Sequence, residues 1–193
     1  ETEQNGIDYS MNVPGVESDA DLAQRVNAEI QKRVDALTAK AQQDWDDYKE
    51  AFLATGGTEE EWSSREMNVI VDYEIKSQTD TTVSFTVDFA EGWIVSMQER
   101  YCYNLDLAEN RDITLADVLG EDWVNVCNTA VENYIAANTD ADGSLFFTPE
   151  QGGFTTVDES TAFYIGADGA PVLVFPEYSI AAGAAGIVEI PVA

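Results

Sequence analysis

MNVIVDYEIKSQTDTTVSFTVDF, residues 67–89, decides the fold class of this chain. Met67, Val69, Val71, Tyr73 and Ile75 alternate with polar residues, as do Val83, Phe85, Val87 and Phe89, and Gln78-Thr79-Asp80 separates the two runs. A period of two, held on both sides of a polar turn, predicts a β-hairpin with one face buried. A third run from Trp93 to Leu107 places Val95, Met97, Tyr101, Tyr103 and Leu105 on one side, extending the hairpin to an antiparallel meander.

Upstream the period changes. Leu22, Val26, Ile30, Val34, Leu37, Ala41, Trp45, Tyr48 and Phe52 recur at steps of three and four for about eight turns, which predicts one long amphipathic helix. Ser18 reads as its N-cap and Thr55-Gly56-Gly57 as its stop. Thr58 with Glu61 forms a capping box for a short helix that ends at Trp62. Residues 7–16, broken by Pro14 and Gly15, read as a short strand.

Downstream, Thr114 to Asp117 caps a short turn to Gly120. Trp123, Val126, Cys127, Ala130, Val131, Tyr134 and Ile135 then stripe a second substantial helix. Thr148-Pro149-Glu150-Gln151 reads as a one-turn helix start. Three strands follow, at Phe163–Ile165, Val172–Phe175 and Ile187–Val192, with Asp168-Gly169 as a hairpin signal between the first two. The expected architecture is α+β: antiparallel sheet with one long N-terminal helix and a second, mid-chain helix packed on one face. It is expected as one unit over 1–193, with a possible subdivision into 1–90, holding the long helix and hairpin, and 91–193.

The 193 residues are 45% hydrophobic and 24% charged, a globular composition. Against 9 Lys+Arg stand 37 Asp+Glu, a formal charge of −28, and the 82 residues after Arg111 carry 13 carboxylates and no cation. Such a chain cannot neutralise phosphates, so nucleic acid is excluded as a partner. The same charge repels an anionic membrane surface. A cationic partner is the electrostatic default, and acidity in the service of solubility or a salty habitat is the alternative. There is no His. That removes the commonest general base, the Ser-His and Cys-His nucleophile pairs and imidazole metal ligands. A chain opening at Glu1 with no Met, no leader and no apolar run near 18 residues reads as a soluble, trimmed fragment.

Several constellations invite chemistry. Asn138-Thr139-Asp140-Ala141-Asp142-Gly143-Ser144-Leu145 mimics a calcium loop over its first eight positions, but Pro149 stands where the bidentate Glu belongs, so an Asx/Gly turn with no metal and no cofactor is expected. The acids Asp44, Asp46 and Asp47, and Glu59 to Glu61, could be imagined as paired glycosidase carboxylates, yet a helix face and a helix N-terminus account for both clusters. Trp45 and Trp123 fall on apolar stripes, whereas Trp62 and Trp93 lie near element ends, where packing over a sheet edge is the first expectation and stacking on a sugar the second. Cys102 and Cys127 read either as two buried free thiols or as a bridge whose loop of about 25 residues would stabilise by ~3 kcal/mol. Pro176-Glu177-Tyr178-Ser179-Ile180, followed by the small residues 181–186, reads either as a surface for close approach by a partner or as a tight crossover between strands.

Taken in order, "VIVDYEIKSQTDTTVSFTVDF", "ERYCYNLDL", "ITLADVLGEDWVNVCNTAVENYI" and "FYIGADGAPVLVFPEYSIAAGAAGIVEIPV" resemble the RsiV-like extracellular domain, the anti-sigma-V type of domain of unknown function also found fused to peptidoglycan polysaccharide deacetylases. The resemblance rests on the spacing of Tyr103 to Leu107, Leu115 to Gly120, Phe163 to Ile165 and Phe175 to Gly186. It implies an extracytoplasmic module, from an anchored or secreted protein, that binds lysozyme as a stress signal without turnover. In the family the segment after the aromatic strand usually reads Tyr-Glu-(Ile/Val)-Ala-Pro; here Ser179 stands for the acid and Ala182 for the proline. On this reading Pro176, Glu177 and Tyr178 contact a cationic, lysozyme-like protein. The alternative partner is cell-wall glycan held through Trp62, Trp93 or the Tyr178 loop, and a carboxylate-based wall hydrolase is a distant third.

Overall fold

A computed structural model describes residues 2–4, 6–92, 97–139 and 145–192. Its elements are β1 (Thr2–Gln4), β2 (Ile7–Met11), α1 (Asp21–Ala54), α2 (Glu59–Trp62), β3 (Met67–Gln78), β4 (Thr82–Gly92), β5 (Met97–Asp106), β6 (Arg111–Asp112), α3 (Leu115–Leu119), α4 (Trp123–Ala137), β7 (Ala162–Ile165), β8 (Pro171–Phe175) and β9 (Val188–Pro191). The fold is α+β, with a six-stranded sheet in the order β1-β2-β3-β4-β5-β6 and a three-stranded sheet in the order β7-β8-β9. The chain divides into two compact units, Glu1–Tyr73 with Val87–Glu99, and Glu74–Thr86 with Arg100–Ala193.

In the first unit α1 buries Leu22, Ala23, Val26, Ile30, Val34, Ala41 and Trp45, the stripe set by its helical spacing. The opposite face is laced by pairs four residues apart, including Arg33 with Glu29, Lys40 with Asp44, and Gln43 with Asp47. Ser18 is not the N-cap. Its hydroxyl accepts from the Ala20 N–H at 3.2 Å in a local turn, and the helix starts at Asp21 behind Ala20. At the other end Gly57 donates to Phe52 O at 3.0 Å. A Cβ on Gly57 would stand 2.2 Å from the Phe52 ring, so any larger residue requires that ring to move. Ile7, Ala41, Trp45, Trp62, Met67 and Val69 form one core cluster, with the Trp45 and Trp62 ring centroids 4.6 Å apart.

The sheet is mixed, where the sequence predicts antiparallel pairing throughout. β2 pairs with β3 in parallel, in the register Ile7 to Met67 through Met11 to Val71, because the 34-residue helix between them carries the chain back to the end from which β2 started. The early strand is shorter than the expected 7–16, ending at Met11 ahead of Pro14-Gly15, and β1 folds back on it in antiparallel register.

The second unit packs α4 on the three-stranded sheet. Leu115, Cys127, Val131, Val157, Phe163, Leu173, Phe175, Ile180, Val188 and Ile190 form its core, with Trp123, Val126, Ala130, Tyr134 and Ile135 against it. The capping box of Thr114 with Asp117 starts α3, and that of Thr148 with Gln151 starts a single 3-10 turn at Pro149–Gln151. Asp168-Gly169 closes the β7–β8 hairpin, where Gly166 N–H donates to Ala170 O at 2.8 Å. Cys102 on β5 and Cys127 on α4 are not bridged to each other, and burial pushes the Cys127 thiol above its usual range.

β7 is an edge strand, and its register turns the backbone groups of Phe163 and Ile165 away from β8. Side chains take them up. Asn104 Nδ2 donates to Phe163 O at 2.7 Å, Ile165 N–H donates to Ser84 Oγ at 2.8 Å, and Ser77 Oγ donates to Ile165 O at 2.8 Å. Ser84 Oγ in turn donates to Asn104 Oδ1 at 2.7 Å. Ser84 and Asn104 are buried, and this closed set of bonds is what lets polar side chains sit inside the unit.

Candidate functional site

The loop after β8 is built by a strand that stops abruptly. Val174 and Phe175 are buried, while Pro176 has no N–H to continue the ladder and is exposed. Ser179 closes a turn on it, donating to Pro176 O through its N–H at 3.1 Å and its hydroxyl at 2.7 Å. This turn holds Tyr178 at φ 63°, in the left-handed region, with 66% of its surface exposed. Glu177 is half-exposed beside it.

Behind the turn the chain is pinned again. Ile180 and Ala181 are buried, Phe147 N–H donates to Ile180 O at 2.9 Å, and Ala182 N–H donates to Leu145 O at 2.7 Å. Leu145, on the segment bonded to the loop, is itself 51% exposed. Gly183 lies under the Tyr178 ring, where a Cβ would come within 2.2 Å of Cζ. Gly183–Ala185 form a 3-10 turn closed by Ala185 N–H to Ala182 O and Gly186 N–H to Gly183 O. Of the two readings of residues 181–186 the structure shows the turn: the small residues bring the chain round, and Gly183 beds the Tyr178 ring. An exposed aromatic in a costly backbone conformation, fixed at both ends by hydrogen bonds, is a rigid projecting contact.

A second feature lies between α4 and β9, a groove of about 640 Å³ lined by Asp122, Asn125, Thr129 and Asn133 on one wall, with Tyr134 and Pro191 among its apolar residues. Its lining has amides and a hydroxyl and no cation. Spacing along α4 could have disclosed this polar stripe, because 122, 125, 129 and 133 repeat at three and four, but the apolar stripe drew the reading.

The remaining sequence candidates scatter. Trp62 is 5% exposed in the first core and cannot stack on a sugar, because Trp45, Tyr48 and Phe52 surround it. Trp93 lies outside the described residues, as do Asp140 to Ser144 of the calcium-like loop. Of that loop's described members, Asn138 Nδ2 donates to Tyr134 O and Thr139 Oγ1 donates to Ile135 O, so both hydroxyl and amide serve the end of α4. Among the described residues no group of three or more Cys, Asp or Glu converges as a metal site. Asp44 pairs with Lys40, Asp46 and Asp47 accept from Gln42 and Gln43, and Glu59 pairs with Lys49. No described helix is long and apolar enough to cross a membrane.

Residues 112–193 match DUF3298, a protein family of unknown function. That span is the cation-free stretch, and it contains α3, α4, the small sheet and the Tyr178 loop. A crystal structure of a DUF3298 member from Bacteroides fragilis is similar at a TM-score of 0.54 and 15% identity, over 85% of this chain and 65% of that one. A DUF3298 protein from Pseudomonas aeruginosa is similar at 0.48 and 18%, over 75% and 63%. The chain thus spans just under two thirds of the length of each. No curated protein matches it. The Bacteroides likeness supports the fold.

Proposed function

We propose that this chain is an extracytoplasmic recognition module that docks a cationic protein of the lysozyme type through Pro176, Glu177 and Tyr178, in a sensing or inhibitory role. The observation that carries the reading is the Tyr178 turn. A non-glycine residue at φ 63°, two thirds exposed, is held there at a cost, and strain of this kind clusters at ligand contacts. The formal charge of −28 supplies the long-range attraction for a basic partner, and the aromatic tip with its exposed proline supplies the short-range contact. The DUF3298 match over residues 112–193 supports placing the function in the half that carries this loop.

Titration calorimetry with a cationic lysozyme at low and physiological salt tests this. Binding at low salt that weakens steeply with salt is expected, and Tyr178→Ala is expected to weaken it by about tenfold or more, the cost of losing a central aromatic anchor. Absence of binding at low salt, or equal binding by the variant, would overturn the reading. The α4–β9 groove favours a second reading, a neutral cell-wall glycan, because amides and a hydroxyl beside a tyrosine suit sugar hydroxyls. Such binding would barely respond to salt and would survive Tyr178→Ala.

A further inference from the structure

Among the described residues after Arg111, two large apolar side chains stand half or more in solvent, Leu145 at 51% and Tyr178 at 66%. A single exposed leucine needs no explanation. This one does, because the fold brings it to the loop that carries Tyr178. Phe146 bridges Ala181 in antiparallel register, Ala182 N–H donates to Leu145 O at 2.7 Å, and Phe147 N–H donates to Ile180 O at 2.9 Å. Leu145 is therefore paired with Ala182, and the next residue, Gly183, lies under the Tyr178 ring.

The pairing also sets which way the leucine faces. Ala181 is buried, and Phe146 packs against the core of the second unit. Side chains alternate along paired backbone, so Leu145 is turned away from that core. A side chain carried on hydrogen-bonded backbone gives up little freedom when a partner covers it. Cross-strand and sequential spacings put Leu145 within about 10 Å of Gly183, backbone to backbone. A docking patch of ordinary size takes about 800 Å² on each partner, roughly 30 Å across, so one centred on Tyr178 reaches Leu145.

The charge available to a partner here has one sign. Lys76, Arg100 and Arg111 are the cations of the second unit, and each stands against a carboxylate, of Glu74, Glu189 and Asp117 in turn. Glu177 is half-exposed beside Tyr178. We propose that Leu145 is a second contact of the Tyr178 docking site, and that the partner presents there an apolar spot set among basic side chains. This rests on the docking reading above and adds to it a residue and the chemistry of the surface it meets. Burial of the leucine and the tyrosine supplies the contact, and the surrounding acids attract and orient the basic rim.

The test is titration calorimetry of the full chain at low salt, with a cationic lysozyme as probe, comparing the native chain with Leu145→Ser, Ile75→Ser and Tyr178→Ala. Ile75 is the control, because it is also 51% exposed in the second unit but lies on β3, off the ladder of the Tyr178 loop. Leu145→Ser is expected to weaken binding by about five- to tenfold and Ile75→Ser to leave it unchanged. Undiminished binding by Leu145→Ser while Tyr178→Ala weakens it would overturn this proposal and leave the docking reading standing, and so would an equal loss with Ile75→Ser. No binding by the native chain, or undiminished binding by Tyr178→Ala, would remove both. If Leu145→Ser does not fold, methyl NMR on the native chain decides: the Leu145 methyls are expected to shift on adding the probe and the Ile75 methyls to stay, and equal shifts or none would overturn the proposal.

Discussion

Asn104 stands at the centre of the second unit's polar bonds, donating to Phe163 O and accepting from Ser84 at once. Asn104→Leu keeps the volume but leaves Phe163 O without its donor and the Ser84 hydroxyl proton without its acceptor, so a loss of about 2 kcal/mol is expected in urea unfolding. An unchanged midpoint would show that water enters to replace the amide. Asp117 gives a pH signature. The Thr114 N–H and hydroxyl and then Arg111 hold its carboxyl down at about 2. A carboxyl that is more acidic folded than unfolded stabilises the fold above its ordinary pKa and loses that contribution as pH falls from about 4 through 2. Native and Asp117→Asn proteins should therefore converge in stability at the acid end of that window. The gap above it should be under about 1 kcal/mol, because the side chain is partly exposed and screened.

At the scale of elements, the stop of α1 makes a sharp claim. Gly57→Ala places a Cβ inside the Phe52 ring, which Arg65 covers, so a loss of about 1–3 kcal/mol and a lower melting temperature are expected. Retention of the native melting temperature would mean that the ring swings aside. Helices were the legible part of this chain. The stripe of α1, the capping boxes at Thr58 and Thr114 and the stripe of α4 each follow from spacing alone, because helix periodicity is a local property. What stayed hidden is non-local. Alternation in 67–89 cannot say that β2 joins β3 in parallel, nor can it say that Asn104 and Ser84 bond to β7 some sixty to eighty residues away. Trp62 packs instead of meeting a sugar, because an element end exposes a ring only when no other element covers it, and α1 supplies the cover. The Tyr178 loop was legible as a turn of small residues, but the left-handed backbone and the Gly183 bed needed coordinates.

For the whole molecule the excess of acids is a standing strain on the folded state. Screening should relieve it, so the melting temperature should rise from low to physiological ionic strength, by scanning calorimetry in sodium chloride. A fall would mean that the ion pairs on α1 outweigh the repulsion. The sheets have a different kind of protection. Their outer strands are β1 and β6, of three and two residues, then β7, whose outward groups are spoken for by side chains, and β9, where Pro191 lacks the amide hydrogen that would face outward. At these four strands a neighbouring polypeptide meets no long open template for cross-β growth. A partner that meets the chain at one of these four edges must do so through side chains, and self-assembly by strand addition there is disfavoured.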